Sequence, residues 1–351
     1  MRPYRTAGII IALAVMAAVL IPALRSGRSS VEVERETYVM GTLLKASITA
    51  TSRDAGISAI EAVFEEMGRW DSVLSSWRDD SELSRLNSAQ LDVPQNVSAE
   101  LLALLGEVHR WAEKSGGAFD PAVGPFIDAW DLRGDGKLPS EAERAAALER
   151  TGLGAFEVDE AAGHVIRRRD GAWITAGGFG KGAALRSVRA ILVDMGVEAA
   201  ALDFGGQLLI IGSPKNGEGL VVGVAHPSRR TEVFAKLKAQ GGSVATSAAS
   251  ERFVEIDGEQ YGHILDPRTG WPVPAWGSVT VMTDDPLVAD MAATTLFVLG
   301  PDEGMAMAER WTDVAVFFLR QEGETVTASW TEAMKPWLLE VPGWEVGNVE
   351  Q

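Results

Sequence analysis

Beyond Phe156 the chain supplies short β-branched runs in close succession, most of them too near one another for a crossover helix to fit between. Parallel neighbours need a connection of about a dozen residues or more, so runs this close pair as antiparallel hairpins. Phe156–Asp159, Val165–Arg169 and Trp173–Thr175 read as a meander. Strands follow near 199–204, 207–212, 219–225, 231–238 and 252–257. Val279–Thr283 is another, and Val314–Arg320 with Thr325–Ser329 closes a hairpin. Upstream, Val31–Ala50 is strand-like and is interrupted at Met40-Gly41-Thr42.

Helical periodicity breaks this pattern in a few places. Ile57, Ile60, Val63, Phe64 and Met67 line one face of a helix over Ala55–Trp70. Ser98 caps a second helix reaching about Lys114, and Ser140–Arg150 forms a short surface helix. The glycine-rich run 177–182 opens a helix to about Met195. Pro286–Leu299 and Asp302–Trp311 are helical too. Ser75–Asn87 reads as a polar loop and Gly116–Asp135 as irregular chain. The sum is an α+β fold of largely antiparallel or mixed sheets with packed helices. The expected division is a targeting segment over 1–30, one domain over 31–340 made of two intimate subdomains, and a tail over 341–351.

The N-terminal segment is apolar from Ala7 to Leu24, flanked by Arg2 and Arg5 before it and Arg25 and Arg28 after it. That length is at the lower limit for spanning a bilayer. Pro22-Ala23-Leu24-Arg25 fits a signal cleavage site poorly. The expectation is an inner-membrane anchor over residues 7–24 with the rest on the periplasmic side, a cleaved signal being the alternative. The formal net charge is −17, which argues against general nucleic-acid binding. There are no cysteines, so disulfides, thiolate nucleophiles, cysteine-ligated zinc and iron–sulfur clusters are excluded.

Three segments carry candidate chemistry. Gly177-Gly-Phe-Gly-Lys-Gly182 matches neither a P-loop nor a dinucleotide fingerprint. Its glycines, helix N-terminus and Lys181 still suit a phosphate, although a plain strand-to-helix turn is the commoner meaning of such a run. Asp290 and Thr294 lie four apart on a helix and share a face. A carboxylate and a hydroxyl there can hold a hard cation such as Mg²⁺, or Asp290 can simply favour the helix dipole. His263 lies in Tyr261-Gly-His-Ile-Leu-Asp-Pro-Arg-Thr-Gly270, where the turn at Pro267–Gly270 places His263 and Asp266 at a strand end. By itself it is a base or an ordinary hydrogen-bonding residue.

The order of these segments resembles a known family, the FAD:protein FMN transferases or ApbE family, over about residues 34 to 320. The resemblance rests on Met40-Gly41-Thr42, the run Leu74 to Asn87, Gly116-Gly-Ala-Phe-Asp-Pro121, Gly177–Gly182, Gly205-Gly206, Ala245-Thr-Ser247, His263–Gly270 and Ala289-Asp-Met-Ala-Ala-Thr294.

The resemblance implies an FAD cleft between two halves of the chain, lined by Met40, Trp77, Ala118, Phe119, Asp120, Lys181 and Leu265. It implies a cation held by a Gly178 carbonyl, Asp290 and Thr294. The implied reaction is Mg²⁺-dependent cleavage of FAD, attachment of FMN to a Thr or Ser of an acceptor flavoprotein, and release of AMP. His263 would help deprotonate the acceptor hydroxyl, with Asp266 orienting the loop. The chain departs from the family in several places. Thr175 stands where an aspartate is usual, Ala183 where an aromatic is usual, and Trp77 where a tyrosine is usual. Thr246-Ser247-Ala248-Ala249-Ser250 lacks a usual glycine and tyrosine. An FAD pyrophosphatase and a non-catalytic FAD-binding protein are the alternatives.

Overall fold

The computed structural model describes residues 30–213, 219–250 and 252–343. The anchor or signal over residues 1–30 and most of the tail over 341–351 therefore fall outside the described residues. Among the described residues, no helix is long and apolar enough to cross a membrane.

The elements run in the order β1 (Val31–Val39), β2 (Thr42–Ala50), α1 (Arg53–Leu74), α2 (Glu82–Asn87), β3 (Gln95–Asn96), α3 (Ala99–Lys114), α4 (Gly124–Ala129) and α5 (Glu141–Leu148). They continue with β4 (Phe156–Asp159), β5 (His164–Arg167), α6 (Gly180–Asp194), β6 (Ala199–Phe204), β7 (Gln207–Ile211), β8 (Leu220–Ala225), β9 (Val233–Ala239) and β10 (Gly242–Ala248). The last are β11 (Phe253–Ile256), β12 (Glu259–Gly262), β13 (Gly277–Thr283), α7 (Pro286–Ala308), β14 (Ala315–Glu322), β15 (Thr325–Trp330) and β16 (Leu338–Glu340).

Eight strands form one sheet in the order β1-β2-β6-β7-β10-β13-β14-β15. Every pairing in it is antiparallel. The fold is α+β, as the close-set strand runs require. On one face lie α1 and α6, which cover β1, β2, β6 and β7, while α7 covers β10, β13 and β14. On the other face, a three-stranded sheet β16-β9-β8 packs against the centre. The middle strands are therefore buried on both sides. In β14, Val316 and Phe318 meet α7 while Ala315, Phe317 and Leu319 meet the small sheet. Continuous apolar sequence, rather than alternation, is what such a strand needs.

Several local readings are corrected. The polar loop over Ser75–Asn87 contains α2, capped by Ser81, whose side chain accepts from the Ser84 N–H. Six residues are too few to show a period. The irregular stretch Gly116–Asp135 contains α4. Trp173–Thr175 belongs to no strand. Strand β10 lies in Gly-Ser-Val-Ala-Thr-Ser-Ala, a small-residue sequence that reads as neither strand nor core, yet most of it is buried. The Pro286 helix and the following one are separated as expected, by Gly300 at φ 76° ahead of Pro301. Ser98 caps α3, accepting from the Leu101 N–H.

Candidate active site

Met40, Phe119, Gly178, Lys181, Asp290 and Thr294 gather where α6 begins and α7 crosses it. Two β-turns close that end of the sheet. The β1–β2 turn carries Met40 and Gly41, both at positive φ. The β6–β7 turn carries Gly205 and Gly206, and the Gly205 N–H donates to the Leu43 carbonyl at 3.1 Å. A side chain on Gly205 would strike Thr42, so the two turns lie flush. Met40 reaches α6 from there, since a Cβ on Gly180 would lie 3.7 Å from Met40 Cε.

The glycine turn is positioned by residues on both sides. Asn87, the last residue of α2, acts as a strand partner to the chain entering the turn. Its Nδ2 donates to the Ile174 carbonyl at 2.8 Å, and its Oδ1 accepts the Ile174 N–H at 2.8 Å. Thr175 donates its N–H to the Pro121 carbonyl at 2.9 Å, and its hydroxyl accepts the Gly177 N–H at 3.3 Å. The turn therefore closes without a carboxylate at 175. Gly178 sits against two expected neighbours: an added Cβ would lie 2.9 Å from Phe119 Cε2 and 3.4 Å from Thr294 Oγ1.

Asp290 is 5% exposed. Its Oδ2 accepts the Gly182 N–H at 2.9 Å, and its Oδ1 lies 3.4 Å from Lys181 Nζ. Arg186, one turn further along α6, forks to Asp285, which caps α7, and to Glu107 of α3. Gln207 of β7 donates to the Pro286 carbonyl at 2.8 Å. These bonds fix the α6–α7 crossing, and with it Asp290 and Thr294 beneath Gly178. A carboxylate, a hydroxyl and the backbone of a glycine turn form an all-oxygen set of the kind a small hard cation accepts. Among the described residues there is no group of three or more His, Cys, Asp or Glu that could hold a metal. Asp290 is the carboxylate of this set, so a cation here would lean on it and on substrate oxygens.

His263 follows β12 directly. Its backbone N–H and its Nδ1 each lie 3.1 Å from the Arg252 carbonyl. A carbonyl only accepts, so Nδ1 carries the proton and Nε2 keeps its lone pair. Burial pushes its pKa down to about 4, and the charges of Arg252, Lys181 and Arg230 push the same way. Asp266 makes no hydrogen bond to His263. Its carboxylate pairs with Arg268 at 2.9 Å, and its carbonyl accepts the Gly270 N–H at 2.8 Å, which closes the turn.

Ala118, Asp120 and Leu265 turn their side chains inward. Ala118 and Leu265 are 1% and 6% exposed. Asp120 accepts the N–H groups of Ala122 at 2.8 Å and Gly152 at 2.7 Å, while burial raises its pKa. Any contact these three make with a ligand would run through the backbone. Trp77 is the opposite case, 69% exposed, with the Arg133 guanidinium 4.6 Å from its ring centroid. Asn87 and Gly182 stood inside quoted motifs without a role, whereas Arg133, Trp173, Arg186 and Gln207 had no sequence signal.

The model of the ApbE family matches residues 40–318. A protein of Treponema pallidum (strain Nichols) named FAD:protein FMN transferase is 31% identical, over 84% of this chain and 86% of its own length. One of the same name from Salmonella typhimurium is 28% identical, over 82% and 84%. Among solved structures, the ApbE protein of Thermotoga maritima superposes with a TM-score of 0.81 at 28% identity, covering 88% of this chain and 100% of that one. The apo flavinyl transferase ApbE of Pseudomonas stutzeri superposes at 0.78 with 26% identity, covering 88% and 97%.

Proposed function

The chain belongs to the ApbE family and is a flavin transferase, and we propose that it cleaves FAD with Mg²⁺ and transfers FMN to a Thr or Ser hydroxyl of an acceptor flavoprotein. One observation carries this reading. The Asp290 carboxylate, the Thr294 hydroxyl and the Gly178 turn meet beside Lys181 at the start of α6. Oxygen donors for a cation and positive charge for a phosphate thus lie within one contact shell.

Asp290, Thr294 and the Gly178 carbonyl would hold a Mg²⁺ ion, which would supply Lewis-acid withdrawal of charge from the phosphorus under attack. The chain's own groups do the rest. The acceptor oxygen forms a bond to the flavin-side phosphorus, and the bond from that phosphorus to the bridging oxygen breaks, the oxygen leaving with AMP. His263 Nε2 takes the hydroxyl proton. In the free enzyme its burial and cationic neighbours keep it neutral. The negative charge of a bound pyrophosphate raises its basicity at the moment a base is needed. Asp266 acts at one remove, by holding the loop through Arg268. Lys181 and the α6 N-terminus steady the phosphates. As in other phosphoryl transfers, position and electrostatics supply most of the rate.

The same reading puts the enzyme on the periplasmic side, held to the inner membrane by residues 7–24, where its acceptor flavoproteins would be met. Incubation of the full chain with FAD and Mg²⁺, with and without an acceptor domain, tests it. Acceptor mass increased by FMN, with equimolar AMP, is the expected result. AMP and free FMN without acceptor labelling would mean a pyrophosphatase. FAD retained intact would mean a binding protein.

A further inference from the structure

An exposed tryptophan on a loop has no intrinsic orientation, and Trp77 is 69% exposed. Its neighbours supply one. The Arg133 guanidinium lies 4.6 Å from the Trp77 ring centroid and 4.4 Å from that of Trp173, so one cation is stacked between two indoles. The same guanidinium donates through Nη1 to the Ser76 carbonyl at 3.1 Å and through Nη2 to Ser76 Oγ at 2.9 Å. It is thus fastened to the residue preceding Trp77 as well as to its ring.

The inner end of this ladder is fixed. Trp173 Nε1 donates to Asp128 Oδ2 at 2.8 Å. Its ring lies where a side chain on Gly124 would be, flat against the start of α4. The loop bearing Arg133 is tied down too. Gly136 donates its N–H to the Asp131 carbonyl at 3.2 Å, and Lys137 donates to the Trp130 carbonyl at 2.9 Å. Trp130 at its base is fully buried, and its Nε1 donates to the Gly270 carbonyl at 2.8 Å.

We propose that Arg133 is a positioning residue for the flavin: stacked on Trp173, it pins the Trp77 indole so that its outward face forms a rigid platform for the isoalloxazine ring. The inference rests on the reading that this site takes FAD. One face of Trp77 is occupied by the cation, and its exposure leaves the other open. An electron-poor flavin ring complements an electron-rich indole. Trp173 stands two residues before Thr175, which closes the glycine turn. The ladder therefore sets the distance between the ring platform and the phosphate end of the site. A substrate spanning both is held in register before any bond is broken.

The test is a double-mutant cycle in the full chain, with Arg133→Gln, Trp77→Leu and the double variant, and with Trp173→Leu as a second route to the same effect. FMN and AMP are titrated separately as probes, and FAD cleavage is followed in parallel. Arg133→Gln and Trp173→Leu are each expected to weaken FMN binding by about tenfold, in the range of one lost stacking contact. AMP binding should hold within about twofold, the kinetic loss falling on KM rather than kcat. In the Trp77→Leu background, Arg133→Gln should add nothing. Unchanged FMN affinity in both single variants overturns the inference. So does an equal loss with and without Trp77, since Arg133 would then act directly or through the fold. A loss of AMP rather than FMN binding overturns it as well, because the platform would then serve the adenine. If wild-type protein binds FMN with this pattern but never cleaves FAD, the platform stands and the transferase reading falls.

Discussion

Gly182 donates its backbone N–H to Asp290 Oδ2 at 2.9 Å, and the space a side chain would need at Gly182 is filled by the start of α7. A Cβ there would lie 2.7 Å from Leu287 Cα and 2.9 Å from Asp290 Cβ, and would collide with the Pro286 carbonyl. Backbone cannot yield as a flexible side chain can. Gly182→Ala should therefore push α6 and α7 apart, destabilising the protein by about 1–3 kcal/mol. Because Asp290 moves with α7, cation affinity should fall with it. Urea unfolding and Mn²⁺ titration, run on the same variant, check both effects.

Asp290→Asn separates charge from shape. The side-chain carbonyl can still accept the Gly182 N–H, so the melting temperature should stay within a few degrees of wild type. The single carboxylate beneath Gly178 is gone, however, and Lys181 Nζ loses a partner now 3.4 Å away. Mg²⁺-dependent FAD cleavage should drop on the order of 100-fold or more, since the charged member of the oxygen set is lost. Cleavage measured across a range of Mg²⁺ concentrations checks this. Near-wild-type rates at low Mg²⁺ would remove Asp290 from the cation site.

How much of this was legible beforehand follows from the range of the interactions. The run Ala315–Leu319 announces a strand because both of its faces are covered. Asp290 and Thr294 announce a shared face because their spacing is that of the helix itself. The glycine turn announces a helix start for the same local reason. Asn87, Arg186 and Gln207 could not be assigned this way, because each acts on chain remote in sequence. The Asn87–Ile174 pair joins segments 87 residues apart, and Arg186 reaches Asp285 across 99. Nor could composition reveal that Asp120 points inward, since its partners are backbone groups, Ala122 in its own loop and Gly152 in a remote one. The resemblance points to these residues, and the contacts that hold them in place come from the fold.

His263 should titrate far below an ordinary histidine. Burial is the main cause, and the neighbouring cations add to it, giving a value of about 4 in the free enzyme. An unfolded histidine takes its proton near 6.5. The folded pKa is lowered, so the stabilisation this residue brings is complete above that unfolded value and is lost as pH falls towards 4. Selective nitrogen labelling and NMR between pH 3.5 and about 7.5 should show the midpoint directly. Addition of a pyrophosphate-containing ligand should move it upward. His263→Gln keeps an amide able to hydrogen bond but supplies no base. FMN transfer should fall by about 10²- to 10⁴-fold, the usual worth of a general base. A midpoint near 6.5 would contradict the buried, cation-flanked setting.

Asn87 offers a sharper test, because its two hydrogen bonds need opposite chemistry. Nδ2 donates to the Ile174 carbonyl and Oδ1 accepts the Ile174 N–H, each at 2.8 Å. Asn87→Asp keeps the shape and the acceptor. Once ionised it has no donor, and it sets a negative oxygen against the Ile174 carbonyl. Loss of one hydrogen bond together with that repulsion should cost about 1–3 kcal/mol at neutral pH. The protonated carboxyl can donate again, so folding favours the protonated form and raises the pKa of the introduced group. A raised folded pKa means stability that is present below the unfolded value near 3.9 and lost as pH rises through the folded value. Relative to wild type, the deficit of Asn87→Asp should therefore shrink on acidification from pH 7 towards 4. Asn87→Ala, which removes both bonds, should show a deficit that does not depend on pH. Paired urea melts of the three proteins across that range distinguish a strand-like clamp on the glycine turn from a residue that merely fills space. Parallel, pH-independent curves for both variants would show that the clamp does not set the approach to Thr175.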